Sequence, residues 1–358
     1  MIGASLEDLD TPALLLDRQA CLRNLHRMSE FFQGRRCRLR PHFKNHKCPA
    51  LARLQLEAGS VVGLTCAKLG EAEILAEHGF ENVLIANQVV GQRKMTRLVE
   101  VARRIDCTVA VDDPAQVLAL SEAACGAGCV IGVLVEVDIG MARCGVSPGQ
   151  PALELARLVS QSDSLCFEGL QAYEGHLVYL NDRTERSTRV IESMSQAVST
   201  RKLIESDGIE VKVISGGSTS TYTTTAQIDG VDEIQAGTYA TMDWRYYELA
   251  PEFEIALSVL CRVISSRCGA VVLDVGVKGV GGEFGPPQVK GFADIEVPAF
   301  SSEEHIVLRK APSWSVGQSV QLLSSHACTT CNLHRQMIVH EDGKVVEVWP
   351  IEASGRLM

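Results

Sequence analysis

Between residues 37 and 239, short β-rich runs recur roughly every 25 residues, and the segments between them are amphipathic. The runs are 37–44, 60–67, 82–88, 107–113, 131–138, 166–173, 211–217 and 233–239. Helical patterning fills the gaps, for instance over 48–58, 69–78, 94–104 and 114–127. A strand that is always followed by a helix must pair in parallel with the next strand, because only a crossover connection returns the chain to the same edge. Eight such units indicate an α/β fold built on a parallel (β/α)8, TIM-like barrel; an open doubly wound sheet is the alternative.

After about residue 246 the rhythm changes to alternating strands separated by turn signals, over 255–264, 270–277, 291–297, 319–323, 335–340 and 345–349. Glu341-Asp342-Gly343-Lys344 has the composition of a hairpin turn. The expected organisation is therefore a barrel over 18–245 and an antiparallel β domain formed by 1–17 and 246–358, with the early run at 11–17 joining the late strands.

With 358 residues, 46% hydrophobic and 22% charged, the chain has the composition of an ordinary globular protein with a large core. A net charge of −10 argues against a nucleic-acid partner, which calls for a broad basic face. The first residues, Met1-Ile2-Gly3-Ala4-Ser5-Leu6-Glu7-Asp8, lack an apolar leader, and no run is long enough to span a bilayer. Thirteen scattered cysteines, an odd number, fit a reducing cytoplasmic setting in which most thiols are small buried hydrophobes.

The densest chemistry lies in Leu39-Arg40-Pro41-His42-Phe43-Lys44-Asn45-His46-Lys47. A lysine at the end of a buried strand, among other cations, loses its proton readily and becomes a nucleophile toward an aldehyde. A solvated basic loop or an anion patch would have the same composition. Two further strand ends, Ser215-Gly216-Gly217-Ser218-Thr219 and Gln235-Ala236-Gly237-Thr238-Tyr239, combine glycines with hydroxyls, as phosphate cradles do in barrels. Arg143 follows another strand in a glycine-rich loop, from which a planar guanidinium reaches a phenolate or carboxylate. Tyr173 and His176 follow the next strand, where they suit ring stacking or proton transfer.

His326-Ala327-Cys328 is the remaining constellation. In an extended segment the imidazole and thiolate point the same way and suit a divalent metal with water or substrate completing the shell. Cys328 and Cys331, with nearby histidines, make a structural zinc site the rival reading.

Taken together, these motifs resemble the D-threonine aldolase / D-serine dehydratase family over nearly the whole chain, from Leu9 to Gly355. The resemblance implies an alanine racemase-like, fold-type III pyridoxal-phosphate enzyme that works with a divalent metal, zinc or manganese, as a homodimer on a D-3-hydroxy amino acid. It implies that Lys44 carries the cofactor as a Schiff base and that Arg143 contacts the phenolic oxygen. Gln235 would lie near the pyridine nitrogen, and Gly217, Ser218, Thr219, Gly237, Thr238 and Tyr239 would hold the phosphate. Tyr173 would lie against the ring, His176 would serve as a base, and His326 and Cys328 would bind the metal. Expected catalytic residues are thus Lys44, Tyr173 and His176.

The expected reaction is retro-aldol cleavage to glycine and an aldehyde, with dehydration to a keto acid and ammonia as the alternative. Two pairs of features point in opposite directions. Cys328 stands where the aldolase branch has aspartate, and Tyr179 where it often has histidine, whereas Gln171-Ala172-Tyr173 and Val348-Trp349-Pro350-Ile351 look closer to the aldolases. A racemase on the same fold would need a second base and no metal. A non-catalytic cofactor carrier would resemble the barrel alone.

Overall fold

The computed structural model describes every residue except Cys268, Phe300 and Ser301. Contacts divide the chain into two compact units. One comprises 29–44, 55–237 and 356–358; the other comprises 1–28, 45–54 and 238–355. The second unit thus takes in residues 18–28, 45–54 and 238–245, which the linear reading of the sequence assigned to the barrel.

The first unit is the parallel barrel. Its strands are Arg38–Leu39, Leu64–Cys66, Asn82–Ile85, Asp106–Val111, Ile131–Glu136, Leu165–Ala172, Val213–Gly216 and Glu233–Ile234. Every ladder between them is parallel, and the last strand pairs with the first through Leu39 and Ile234. Parallel bridges from Leu39 to Val61 and from His42 to Thr65 join the first strand to the second, so the ring closes. Ile131–Glu136 is buried at every position, the continuous apolar run expected of a strand covered on both faces.

Two of the intervening helices show clear start signals. Pro114–Ala127 begins with the Asp113 carboxylate accepting the Ala115 amide at 2.7 Å and ends at Gly128 with φ 63°. Arg183–Ser206 begins the same way, with Asp182 accepting the Glu185 amide at 2.8 Å.

The second unit is built on a largely antiparallel sheet in which Leu257–Arg267 pairs with Ala13–Asp17, Ala270–Leu273 and Ser319–Leu323. Ala13–Asp17 also runs parallel to Gln336–Glu341, which turns into Lys344–Pro350 through Asp342 and Gly343, both with positive φ. Leu6, Leu9, Leu15, Leu260, Ile338 and Val345 form a core cluster on this sheet. The expected strand over 291–297 is not formed. Gln288–Val289 ends at a turn where Gly291 has φ 84°, and Ile306–Arg309, absent from the sequence reading, pairs with Ala270–Leu273 instead.

No disulfide joins the described cysteines; Cys268 lies outside the described residues. Burial pushes the Cys21 and Cys107 thiols up to about 12, consistent with cysteines that serve as packing groups. Among the described residues, no helix is long and apolar enough to cross a membrane.

Candidate functional site

In the barrel unit, the parallel ladders bring the C-terminal ends of five neighbouring strands to one rim. Glu136 registers with Gln171, Ala172 with Gly216, Gly216 with Ile234, and Ile234 with Leu39. The residues that follow these ends are Arg143, then Tyr173 and His176, then 217–219, then Gln235 and Gly237, then Lys44. Positions as far apart in sequence as Leu39 and Ile234 become neighbours around one edge, the edge on which barrel enzymes carry their sites.

Lys44 lies in the 3-10 turn Phe43–Asn45, half-buried, with its amide 3.5 Å from His42 Nδ1. His42, His46 and Lys47 are buried, so this basic segment is not a solvated loop. Two residues before the turn, Pro41 accepts the Thr65 amide at 2.8 Å and fixes the strand's exit. Arg40 makes a two-pronged ion pair with Glu233, both arms at 2.8 Å, clamping the first strand to the last.

Gln235 donates to Ser215 Oγ at 2.9 Å, which fixes its amide plane beside the seventh strand. In the loop after that strand, Gly217 has φ 79°, a conformation that strains any other residue, and a Cβ there would also press Ile234 Cδ1 at 2.8 Å. The Gly217 amide donates to Glu174 and the Ser218 amide to Thr221 Oγ1. Both amides are thus committed to holding the loop together.

The Arg143 loop is shaped by Asp138, whose Oδ1 accepts the Gly140 amide at 2.9 Å and the Ala142 amide at 3.1 Å. Burial works against ionisation of Asp138, but these amides hold its carboxyl below the usual range. Arg143 is exposed, lies 5.7 Å over the Tyr173 ring and 4.0 Å from the buried Glu136. Burial raises the Glu136 carboxyl, and Gln88 donates to it at 2.6 Å. His176 is exposed; its ring lies against Gly140, where a Cβ would come within 2.8 Å of Nε2. Burial, followed by the nearby Arg189, lowers the His176 imidazole, which keeps it neutral and able to accept a proton near pH 7.

The second unit holds Thr238, Tyr239, His326 and Cys328. Thr238–Ala240 is a buried 3-10 turn in which the Tyr239 ring packs 6.0 Å from Phe253. His326 caps the helix Ala327–Leu333, so residues 326–328 are not extended as the alternation suggested. The helix starts there because Asp243, fully buried, accepts the Ala327 amide at 2.9 Å while accepting the Tyr246 amide at 2.8 Å. Burial pushes the Asp243 carboxyl up to about 6.

The imidazole and thiol still meet, because a helix's first turn brings the capping side chain back over it. Burial alone would lower the His326 imidazole, but its hydrogen bonds to Cys328 and Glu283 outweigh that and raise it to about 9. Glu283 Oε1 stands 2.5 Å from His326 Nδ1 and also accepts from Thr329. Phe284 packs edge-on against the imidazole at 4.9 Å. Asn45 Nδ2 donates to Cys328 Sγ at 3.6 Å while its Oδ1 accepts from Thr241 at 2.8 Å. Among the described residues, no three His, Cys, Asp or Glu side chains converge as a metal cage. Cys331 is fully buried, and burial pushes its thiol well up.

Sequence reasoning missed Glu136, Glu174, Asp243 and Glu283. The one visible signal was the glycine-dense stretch Gly279-Val280-Gly281-Gly282-Glu283-Phe284-Gly285, whose single acid and single ring both contact His326.

Comparison with known proteins gives the family. The alanine racemase N-terminal domain model matches residues 16–243, and the serine dehydratase domain model matches residues 256–340. The chain is 36% identical to a D-threonine aldolase of an Arthrobacter species over 361 residues, covering 99% of this chain and 95% of that protein. It is 32% identical to the 3-hydroxy-D-aspartate aldolase of Paracoccus denitrificans, covering 99% and 94%. The crystal structure of D-threonine aldolase from Filomicrobium marinum superposes with a TM-score of 0.97 at 36% identity, covering 100% of this chain and 99% of that one.

Proposed function

Because the chain belongs to the D-threonine aldolase / D-serine dehydratase family, and is therefore a pyridoxal-phosphate lyase of D-3-hydroxy amino acids, we propose that it performs retro-aldol cleavage to glycine and an aldehyde. The observation that carries the residue assignments is the rim on which Lys44, Gln235, the 217–221 loop, Tyr173 and Arg143 follow adjoining parallel strands. The preference for aldol cleavage is supported by the two full-length aldolase relatives.

The donor set fits pyridoxal phosphate. The loop offers buried hydroxyls at 218–221 after a glycine whose positive φ strains any side chain, a strand-end lysine offers an amine, and a guanidinium lies over a tyrosine ring. When bound, the cofactor supplies an electron sink for the substrate's α-carbon. In this reading Lys44 would hold the cofactor through Nζ, and Arg143 would donate to its phenolic oxygen. Gln235, its amide plane set by Ser215, would serve the pyridine nitrogen. Ser218, Thr219, Gly237, Thr238 and Tyr239 would hold the phosphate, and Tyr173 would serve the ring.

His326 and Cys328 fit a divalent ion: a nitrogen and a sulfur donor, each oriented by a second residue, suit zinc better than harder ions. There a metal supplies Lewis acidity toward a substrate hydroxyl. Asn45, which follows Lys44 in the chain, orients the thiolate, and Glu283 orients the imidazole. With tyrosine at 179, the proton of the 3-hydroxyl goes to another base, and His176, lowered and exposed, is our candidate. The same reading takes the protein to be a homodimer, which sedimentation measures directly.

One observation favours the dehydratase outcome: Cys328 in the metal pair, where the aldolase branch has aspartate. Purified protein supplied with pyridoxal phosphate and zinc or manganese, then given D-threonine and D-serine, separates the two. Glycine and acetaldehyde from D-threonine support the aldolase. A keto acid and ammonia from either substrate establish the dehydratase and overturn the aldol assignment.

A further inference from the structure

We propose that Glu174 is the positioning residue of the phosphate-binding loop: one buried carboxyl group folds residues 217–221 into the shape that takes the cofactor's phosphate. The inference rests on the pyridoxal-phosphate reading above and concerns only residues of the barrel unit.

Glu174 follows the strand Leu165–Ala172 and is fully buried. Three donors converge on it. Thr221 Oγ1 donates to Oε1 at 2.8 Å, Thr225 Oγ1 donates to the same oxygen at 2.6 Å, and the Gly217 amide donates to Oε2 at 3.1 Å. Thr221 Oγ1 in turn accepts the Ser218 amide at 3.0 Å. Placing a carboxyl group out of water is expensive unless its oxygens are bonded, and removing its partners leaves that expense uncompensated. The loop therefore has one low-energy arrangement, with Gly217 at one end and Thr225 at the other drawn to the same group. No packing need explains an acid at this place; an apolar side chain would fill it without the desolvation cost.

The consequence is a division of labour. The Gly217 and Ser218 amides serve the loop, and the loop's shape serves the anion. Ser218 Oγ, within 3.3 Å of Ser220 Oγ and 3.2 Å of Thr221 Oγ1, is held by the same network. A defect at Glu174 should accordingly be felt by the phosphate and not by the pyridine ring.

Full-length protein stripped of cofactor is titrated with pyridoxal phosphate and with pyridoxal, which lacks the phosphate, and binding is read from the visible absorbance. Glu174→Gln leaves an oxygen for the two threonines but turns an N–H toward the Gly217 amide. The expected result is affinity for pyridoxal phosphate lower by about tenfold or more, with pyridoxal affinity changed by less than about twofold. Thr225→Val removes one donor only. It should give a smaller loss with the same selectivity, and it carries the test if Glu174→Gln does not fold. Equal losses for the two ligands, or no loss for either, overturn the proposal. Wild-type protein that takes up no pyridoxal phosphate sinks the cofactor reading itself, whereas wild-type uptake with unselective variants sinks only the role of Glu174.

Discussion

The Glu283 carboxylate sits 2.5 Å from His326 Nδ1, which makes Nε2 the nitrogen that a metal would meet. A carboxylate in this position fixes the tautomer and the ring plane of a ligating histidine, and such partners are worth 10–100-fold in metal affinity, as an order of magnitude. Glu283→Gln is expected to weaken zinc binding by about tenfold or more, measured by competition with a chromogenic chelator. Unchanged affinity would remove Glu283 from the metal pair's support.

Cys328, whose Sγ accepts from the Asn45 amide at 3.6 Å, would be the soft donor of the proposed metal pair. Cys328→Asp replaces sulfur with oxygen and should move metal preference from zinc toward manganese or magnesium. Activity restored by each metal in turn, after chelation, reports the change. Retained zinc preference would show that the thiolate does not choose the metal.

Lys44 is the sole lysine among the rim residues assigned here. Lys44→Ala should abolish the cofactor's protein-bound visible absorbance together with turnover, while the far-ultraviolet dichroism stays unchanged. If the band persists, the cofactor is attached elsewhere.

Arg40 and Glu233, each 12% exposed, close the barrel between its first and last strands. Breaking a buried pair by removing one partner costs about 3–5 kcal/mol, because the other charge is left uncompensated. Arg40→Leu should destabilise the fold by roughly that amount in a denaturant titration, and Arg40→Leu combined with Glu233→Met should recover most of it. A double variant no more stable than the single one contradicts this account.

His334 and His340 are both held below imidazole's ordinary 6.5, chiefly by burial. His334 Nε2 lies 2.7 Å from the Gly279 carbonyl, and His340 Nδ1 is buried with no hydrogen-bond partner among the described residues. In the folded chain both stay neutral where the unfolded chain takes up protons. The stability they contribute is fully present above 6.5 and is lost as pH falls from there through their lowered folded values. Between pH 7 and pH 5 the two histidines pull the melting temperature down, against the raised Asp243 and Glu136 carboxyls, which pull it up, so His334→Gln should shift the pH slope toward greater relative stability at pH 5. An unchanged slope would assign the acid sensitivity to other groups.

The barrel was legible because its signals are local. The central strands are largely buried and read as apolar runs, Ile131–Glu136 at every position, and two of the helices bring their own caps, Asp113 and Asp182. The Glu341–Lys344 turn was legible for the same reason, since Asp342 and Gly343 supply the positive φ that the hairpin needs. The strand expected at 291–297 failed because alternation alone does not determine which segment finds a partner: Ile306–Arg309 took the edge of Ala270–Leu273. The extended reading of residues 326–328 failed because the helix there begins on a carboxylate 84 positions earlier.

The sequence by itself determined the alternation of strands and helices, the family, and the residue types at the strand ends: Lys44, Arg143, the hydroxyl loop and the His326–Cys328 pair. Only the tertiary structure decided what each of these leans on. Glu174 beneath the 217–221 loop, Glu283 behind His326 and Asn45 beside Cys328 are separated from their partners by 43, 43 and 283 residues. A side-chain hydrogen bond is short-ranged and directional, so its partner is set by how the folded backbone passes through space, and no spacing along the chain encodes it.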